Sequence, residues 1–409
     1  VTVRRRDFIK ASLCAPLVSG CAGLSLEEGL MNECRVTDAK LLNNPYILAA
    51  WRGLRFDRVW DMHVHLLGNG RSDSGIYLDP AFEGGWSPSS RLRHTFFRNA
   101  ACVTGDEKRM DEEVVARLAQ LADAMPQGAK LVLLAFDFTY EESGKKRPDL
   151  TTFSIPDDYA RRVAKAHPDR FEWICSVHPY REDAVQALTQ AKAGGARAVK
   201  WLPPTMGIDL ANPKCGPFYD ALVRLGLPLL VHMGEEQAVP GAGRHDLANP
   251  LQVRKPLDRG VRVIVAHCAS LGKSPDLDSN SNDDLPNFAL FSRLMSERRY
   301  EGRLFGDISA VTQANRKGIV PQLLAKVHDW EGRLLNGSDY PLPGVMPVFS
   351  LDQLVGEGLL DPMTVPLLRE LRQTNAILFD FVLKRSLSHN GVKFPASAFE
   401  TRDFFLHKA

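Results

Sequence analysis

Eight short apolar runs, recurring in series along the chain, constrain the fold more than any other feature. They are "RVWDMHVH", "KLVLLAFD", "FEWICSVHP", "RAVKWLPP", "LPLLVHMG", "VRVIVAHC", "RLFGDIS" and "GRLLNGSDYP". Each has the length of a strand and is nearly apolar throughout, as strands buried on both faces are. Between them lie amphipathic stretches such as "DEEVVARLAQLADAM", "REDAVQALTQAKAGG", "GPFYDALVRLG" and "FALFSRLMSERR". Two of these end in glycine, a common helix stop. A last helix is predicted over "VPLLRELRQTNAILFDFVLKRSL". Strand and helix alternating eight times predict an α/β fold, a closed (β/α)8 or TIM barrel. A doubly wound open sheet is the alternative. It wants a glycine-rich phosphate turn leading into a helix after its first strand, and "LLGNGRSDSG" lacks that spacing.

The ends of these runs carry the chemistry. Five of the 11 histidines, His63, His65, His178, His232 and His267, stand there, with Lys200 and Asp339. In a barrel all eight carboxyl ends meet on one rim. Alternation along the first run predicts that Asp61, His63 and His65 share a face. A lone histidine at a strand end is usually structural, a lone lysine snorkels, and a lone aspartate caps a turn. The joint arrangement instead points to a metal centre. Imidazole nitrogen and carboxylate oxygen suit zinc or a similar divalent ion, and an open position leaves room for water.

On these residues the sequence resembles the amidohydrolase superfamily of metal-dependent barrel enzymes, over about residues 55–390. The motifs are "DMHVH", "VKW", "LVHMGE", "VAHC" and "GSDYP", the last three most like amidohydrolase family 2. The resemblance implies that His63, His65 and Asp339 hold the more buried of one or two divalent ions. It implies that His232 and His267 bind a second ion or divide into ligand and acid–base group. Lys200 has two readings. Carboxylated, it bridges two ions; as an amine, it binds a substrate carboxylate beside one ion. A protonated amine is a poor neighbour for a cation in a low-dielectric site, which favours the bridge. The implied reaction is attack of metal-activated water on an amide, ester or lactone, with Asp339 moving the proton and His267 and Lys200 assisting. A non-oxidative decarboxylase with one metal is the alternative, and an exported, non-catalytic binding protein a third.

Further residues are candidates for substrate contact: His178 in "VHPYRED", Trp201, and Arg244 and His245 in "EEQAVPGAGRH". Glu235, Glu236 and Tyr340 lie near the same rim. Two long connections also reach it. Residues 69–105, rich in glycine, aromatics and arginine, are expected to form a pocket wall. Residues 270–286 are expected to be a solvated insertion.

The N-terminus is an address. "RRDFIK" resembles a twin-arginine export signal, and "VSGC" resembles a lipoprotein processing box with Cys21 as the lipidated residue. The expected organisation is a leader (1–21), a tether (22–45), the barrel (46–390) and a C-terminal tail (391–409). Export machinery and a lipid anchor on the periplasmic face are the implied partners, beside a small-molecule substrate; a homo-oligomer is left open. Arg4, Arg5, Arg6 and Lys10 against Asp7 more than account for the net charge of +2, so no basic surface for nucleic acid remains. After Cys21 come Cys34, Cys102, Cys175, Cys215 and Cys268, with no CxxC pair. Cys175 and Cys268 are expected to be inert buried thiols. Oxidation could join two loop cysteines, which spacing does not choose.

Overall fold

The computed structural model describes residues 25, 27, 29–84, 88–103, 105–279 and 283–406. The leader, including Cys21, lies outside them. Among the described residues no helix is long and apolar enough to cross a membrane.

All eight expected strands form: β1 (Trp60–His65), β2 (Lys130–Leu134), β3 (Phe171–Ile174), β4 (Val199–Trp201), β5 (Leu229–His232), β6 (Val263–Ala266), β7 (Leu304–Asp307) and β8 (Leu334–Leu335). Every pairing between neighbours is parallel. Bridges Cys175–Val199 and Val64–Tyr340 join the two runs of strands into a closed barrel. The closing seam is sewn by backbone bonds. Met62 N donates to Asn336 O (3.1 Å), Asp339 N to His63 O (2.8 Å) and His65 N to Tyr340 O (3.0 Å).

Strict alternation fails on β1, and the failure matters. The register slips between Asp61 and Val64. Met62 packs with the barrel-interior cluster, whereas Val64 packs with the outer core under the helices. A bulge of this kind re-aims side chains and is common beside active sites. Asp61 therefore leaves the expected set. Its carboxylate accepts the amides of Ser338 (2.7 Å) and His63 (3.2 Å) and pins β8 to β1 instead.

The interior below the rim is filled by Trp60, Met62, Val132, Leu134, Ile174, Leu230, Ile264 and Phe305. The segment expected as a tail is the floor of this core. Phe405 belongs to the interior cluster and stacks on Trp60 at 6.1 Å, and Thr401 donates to Trp60 O at 2.6 Å. Part of the expected tether is likewise tied to the fold, with Ser25 and Asn32 buried. Asn32 and Asn99 exchange hydrogen bonds, and a disulfide joins Cys34 to Cys102. The single helix expected after β8 is two, Val365–Thr374 and Ala376–Ser386. Asn375 breaks it: its backbone is extended and its side chain caps the second helix at Leu378 N.

The floor makes a measurable claim. Phe405→Ala opens a cavity under Trp60 and should cost about 3–5 kcal/mol of unfolding free energy. A denaturant midpoint equal to that of the parent protein refutes the role given to this segment.

Candidate metal centre

Six residues singled out by their strand-end positions line one cavity of about 300 Å³ at the carboxyl end of the barrel: His63, His65, Lys200, His232, His267 and Asp339. The approach of β8 to β1 is what brings Asp339 in. A side chain at Gly337 would meet His63 Cβ at 2.4 Å, so only glycine allows the contact. Asp339 itself sits in left-handed backbone at φ 60°, and so does His267 at φ 53°. Such strain persists where surrounding contacts impose it.

Three imidazole nitrogens converge on one carboxylate. Asp339 Oδ1 lies 3.4 Å from His63 Nε2 and 3.3 Å from His65 Nε2. Asp339 Oδ2 lies 3.8 Å from His267 Nε2. The rear faces of two imidazoles are fixed. His63 Nδ1 meets Asp307 Oδ2 at 2.7 Å, and His267 Nδ1 meets Ser309 Oγ at 2.8 Å and the Ser309 carbonyl at 3.2 Å. With Nδ1 donating to those oxygens, each Nε2 turns a lone pair inward, the arrangement that second-layer partners impose on metal ligands. Asp307, Ser309 and His63 form one buried cluster, because Ser309 also donates to Asp307.

This donor set fits a divalent cation. Lone pairs on neutral imidazoles facing a carboxylate repel one another unless a positive charge lies among them. His232 supplies a second sign, because its Nε2 is buried without a hydrogen-bond partner, 3.4 Å from Glu236 Oε2. Burial pushes the Asp339 carboxyl up, but His267, His63 and His65 outweigh it and hold the group well below the usual carboxylate range. Burial drives His267 down to about 3 and His232 well below its usual value, so both imidazoles are neutral at neutral pH. Burial also lowers the Lys200 amine, whose Nζ sits 3.3 Å from His63 Nε2.

Four other candidates lie elsewhere. His178 Nε2 donates to Met206 O (3.0 Å), and its Nδ1 accepts from Tyr180 N (3.2 Å). Both nitrogens are thus spent on backbone. Trp201 packs on Phe218, with Nε1 donating to Val177 O. Arg244 is exposed and paired with Asp246, and His245 is exposed beside it. None of the four lines the cavity. Conversely, Asp307 and Ser309 back the imidazoles without being among the expected site residues, although "RLFGDIS" places Asp307 at a strand end like the others. Arg316, in the loop after β7, lines the cavity and was not anticipated. The connection 69–105 does wall it, through Leu78, Phe82, Leu92, Phe96 and Phe97; among the described residues of 270–286 only Leu271 does, and Lys273–Pro275 pairs with Asp284–Pro286 as a two-stranded ribbon.

The sequence profile described as amidohydrolase matches residues 60–372. Among solved structures, an uncharacterised TIM-barrel protein from Bordetella bronchiseptica is 16% identical, with 76% of this chain and 94% of that one covered at a TM-score of 0.44. The 4-oxalomesaconate hydratase of Rhodopseudomonas palustris is 13% identical, with 84% and 94% covered at 0.43. The 5-carboxyvanillate decarboxylase of Novosphingobium aromaticivorans is 13% identical, with 94% and 98% covered at 0.38. No curated protein matches the sequence significantly. The profile spans most of the barrel and every residue that meets at its rim, and the chain belongs to the amidohydrolase family, an enzyme of the amidohydrolase superfamily.

Proposed function

We propose that the chain is a metal-dependent hydrolase of a small amide, ester or lactone. The observation that supports this most is the position of Asp339. One of its oxygens faces His63 and His65, and the other faces His267. A carboxylate so placed can hold an ion and also receive a proton. His63, His65 and Asp339 would hold the ion, with His232 and Lys200 beside it; nitrogen and oxygen donors of this kind suit zinc. A bound divalent cation supplies Lewis acidity to a carbonyl oxygen and lowers the pKa of a water. Asp339 takes the proton of the attacking water and returns it to the leaving group. Ser309 keeps the His267 ring in one orientation, so that Nε2 stays turned to Asp339 during that transfer. The apolar wall excludes bulk water.

Lys200 is proposed to be carboxylated and to bridge two ions. The support is its complete burial beside His63, where an ammonium is disfavoured. We also propose export through the twin-arginine route and lipidation at Cys21. The Cys34–Cys102 disulfide supports an oxidising compartment.

Metal analysis of protein purified without added metal tests the centre. About two ions per chain is expected; one ion makes Lys200 an amine, and none rejects the metal reading. Asp339→Asn should bind metal more weakly and lower turnover by about 10²–10⁴. Metal-replete Asp339→Asn protein turning over at the parental rate rejects the proton-transfer role.

Lipidation has its own readout. The parent protein should pellet with membranes and be released by detergent, whereas Cys21→Ser should appear in the soluble fraction. Equal pelleting of both counts against the anchor.

A further inference from the structure

A buried guanidinium in the cavity wall has no ion-pair partner among the described residues. Arg316 is buried in the cavity wall, on the loop after β7. Its position is built rather than incidental. Nη1 donates to Ser270 Oγ at 2.7 Å, and Nε reaches Gln313 Oε1 at 3.4 Å. Ser270 in turn closes the turn that carries His267, donating its amide to His267 O at 3.0 Å. Arg316 also closes its own turn, N to Gln313 O at 2.9 Å. Both protein acceptors on the guanidinium are neutral, and no carboxylate of the described residues lies within ion-pair distance of it. Glu236 and Asp339 face the same cavity, but the Glu236 carboxylate is turned to His232 and to the amides of Ala238 and Val239.

A guanidinium stays charged when buried, and a buried charge without a counter-ion is costly. Such a residue is retained where something else supplies the anion. The remaining surface of the cavity is mostly apolar, from Leu78, Phe96, Phe97, Val345 and Val348. The chamber therefore offers three distinct environments: a nitrogen and oxygen donor cluster, an apolar wall, and a buried guanidinium held by neutral partners.

We infer that Arg316 is a specificity-determining residue that binds a carboxylate on the substrate, so that the substrate class is small carboxylated amides, esters or lactones with an apolar body. This rests on the hydrolase reading of the same site. The guanidinium fork suits a planar carboxylate, with Nη2 having no hydrogen bond to any described residue. Arg316 breaks no bond of the substrate; it fixes which end enters.

Two hydroxamates of equal chain length test this without knowledge of the substrate. Pentanohydroxamate ends in a methyl group, and glutaric acid monohydroxamate ends in a carboxylate. Both are to be titrated calorimetrically into the zinc-loaded full chain. The shared hydroxamate addresses the metal centre, so the difference between the two reports the far end. The parent protein should bind the carboxylated probe about 10- to 100-fold more tightly, the range of a charge-assisted hydrogen bond. Arg316→Gln should bring the two affinities together, and Arg316→Lys should keep part of the preference. Equal binding of both probes by the parent protein overturns the inference and leaves the metal centre standing. A preference that survives in folded Arg316→Gln also overturns it. Failure of both probes to bind metal-replete protein rejects the hydrolase reading, which needs an ion open to substrate, and the inference with it. The comparison on the parent protein decides the matter even where a variant does not fold.

Discussion

The contact between β8 and β1 is the constraint on which the site depends. A two-residue strand cannot hold a carboxylate in place by its own ladder. Asp339 is located because its amide is bonded to His63 O, because Asp61 takes the Ser338 amide, and because Gly337 lets the two backbones close up. Lys384, buried on the helix Ala376–Ser386, supports the same turn from outside by donating to Gly337 O at 2.7 Å while paired with Asp380. A carboxylate set by four independent contacts tolerates left-handed backbone that it would otherwise escape. Barrel closure and site assembly are thus the same event.

Charge is arranged in layers around that seam. Asp339 faces the cavity, and Asp307 lies behind His63 with Ser309 beside it. Burial alone would raise the Asp307 carboxyl, but His63 and its hydrogen bonds reverse the effect and leave it ionised. An ionised Asp307 fixes the Nδ1–H tautomer of His63 and makes its Nε2 a better donor. The same logic with a neutral partner holds for His267 and Ser309. The rear layer decides which way each lone pair points, and the front layer decides what they point at.

Much of this was legible in the chain. The eight strands could be read because each is a short, almost wholly apolar run, and barrel closure needs no other information than their number and order. The six rim residues could be read because strand direction places every carboxyl end on one face. What escaped falls into two kinds. Asp307 satisfied the rule that found the others and was simply a polar residue in a run judged by its apolar members. Asp61, the floor helix with Phe405, and Arg316 were different. A bulge changes which face a residue takes, a terminal segment finds its place only through tertiary packing, and a loop arginine becomes buried only when another loop covers it. His178 shows the converse. It satisfies the pattern, yet the backbone of Met206 and Tyr180 takes both nitrogens.

The cavity wall divides the labour differently from the barrel. The donors sit on strands or on the turns that end them, where closure fixes them, while the helix Pro88–Ala100 and its neighbours shape the space in front. That wall is braced rather than loose. Its far end is joined through Cys102 to Cys34, Asn99 is locked to Asn32, and Arg98 and Arg71 both pair with Glu107. The braces reach Asn32 and Cys34, so the chain entering the barrel also secures the cavity wall. The donor cluster and the apolar wall are therefore held by separate sets of contacts, whereas Arg316 is tied through Ser270 to the turn that carries His267. Changes in the wall can alter what enters without disturbing the seam that positions Asp339, which is how one barrel frame accommodates different substrates.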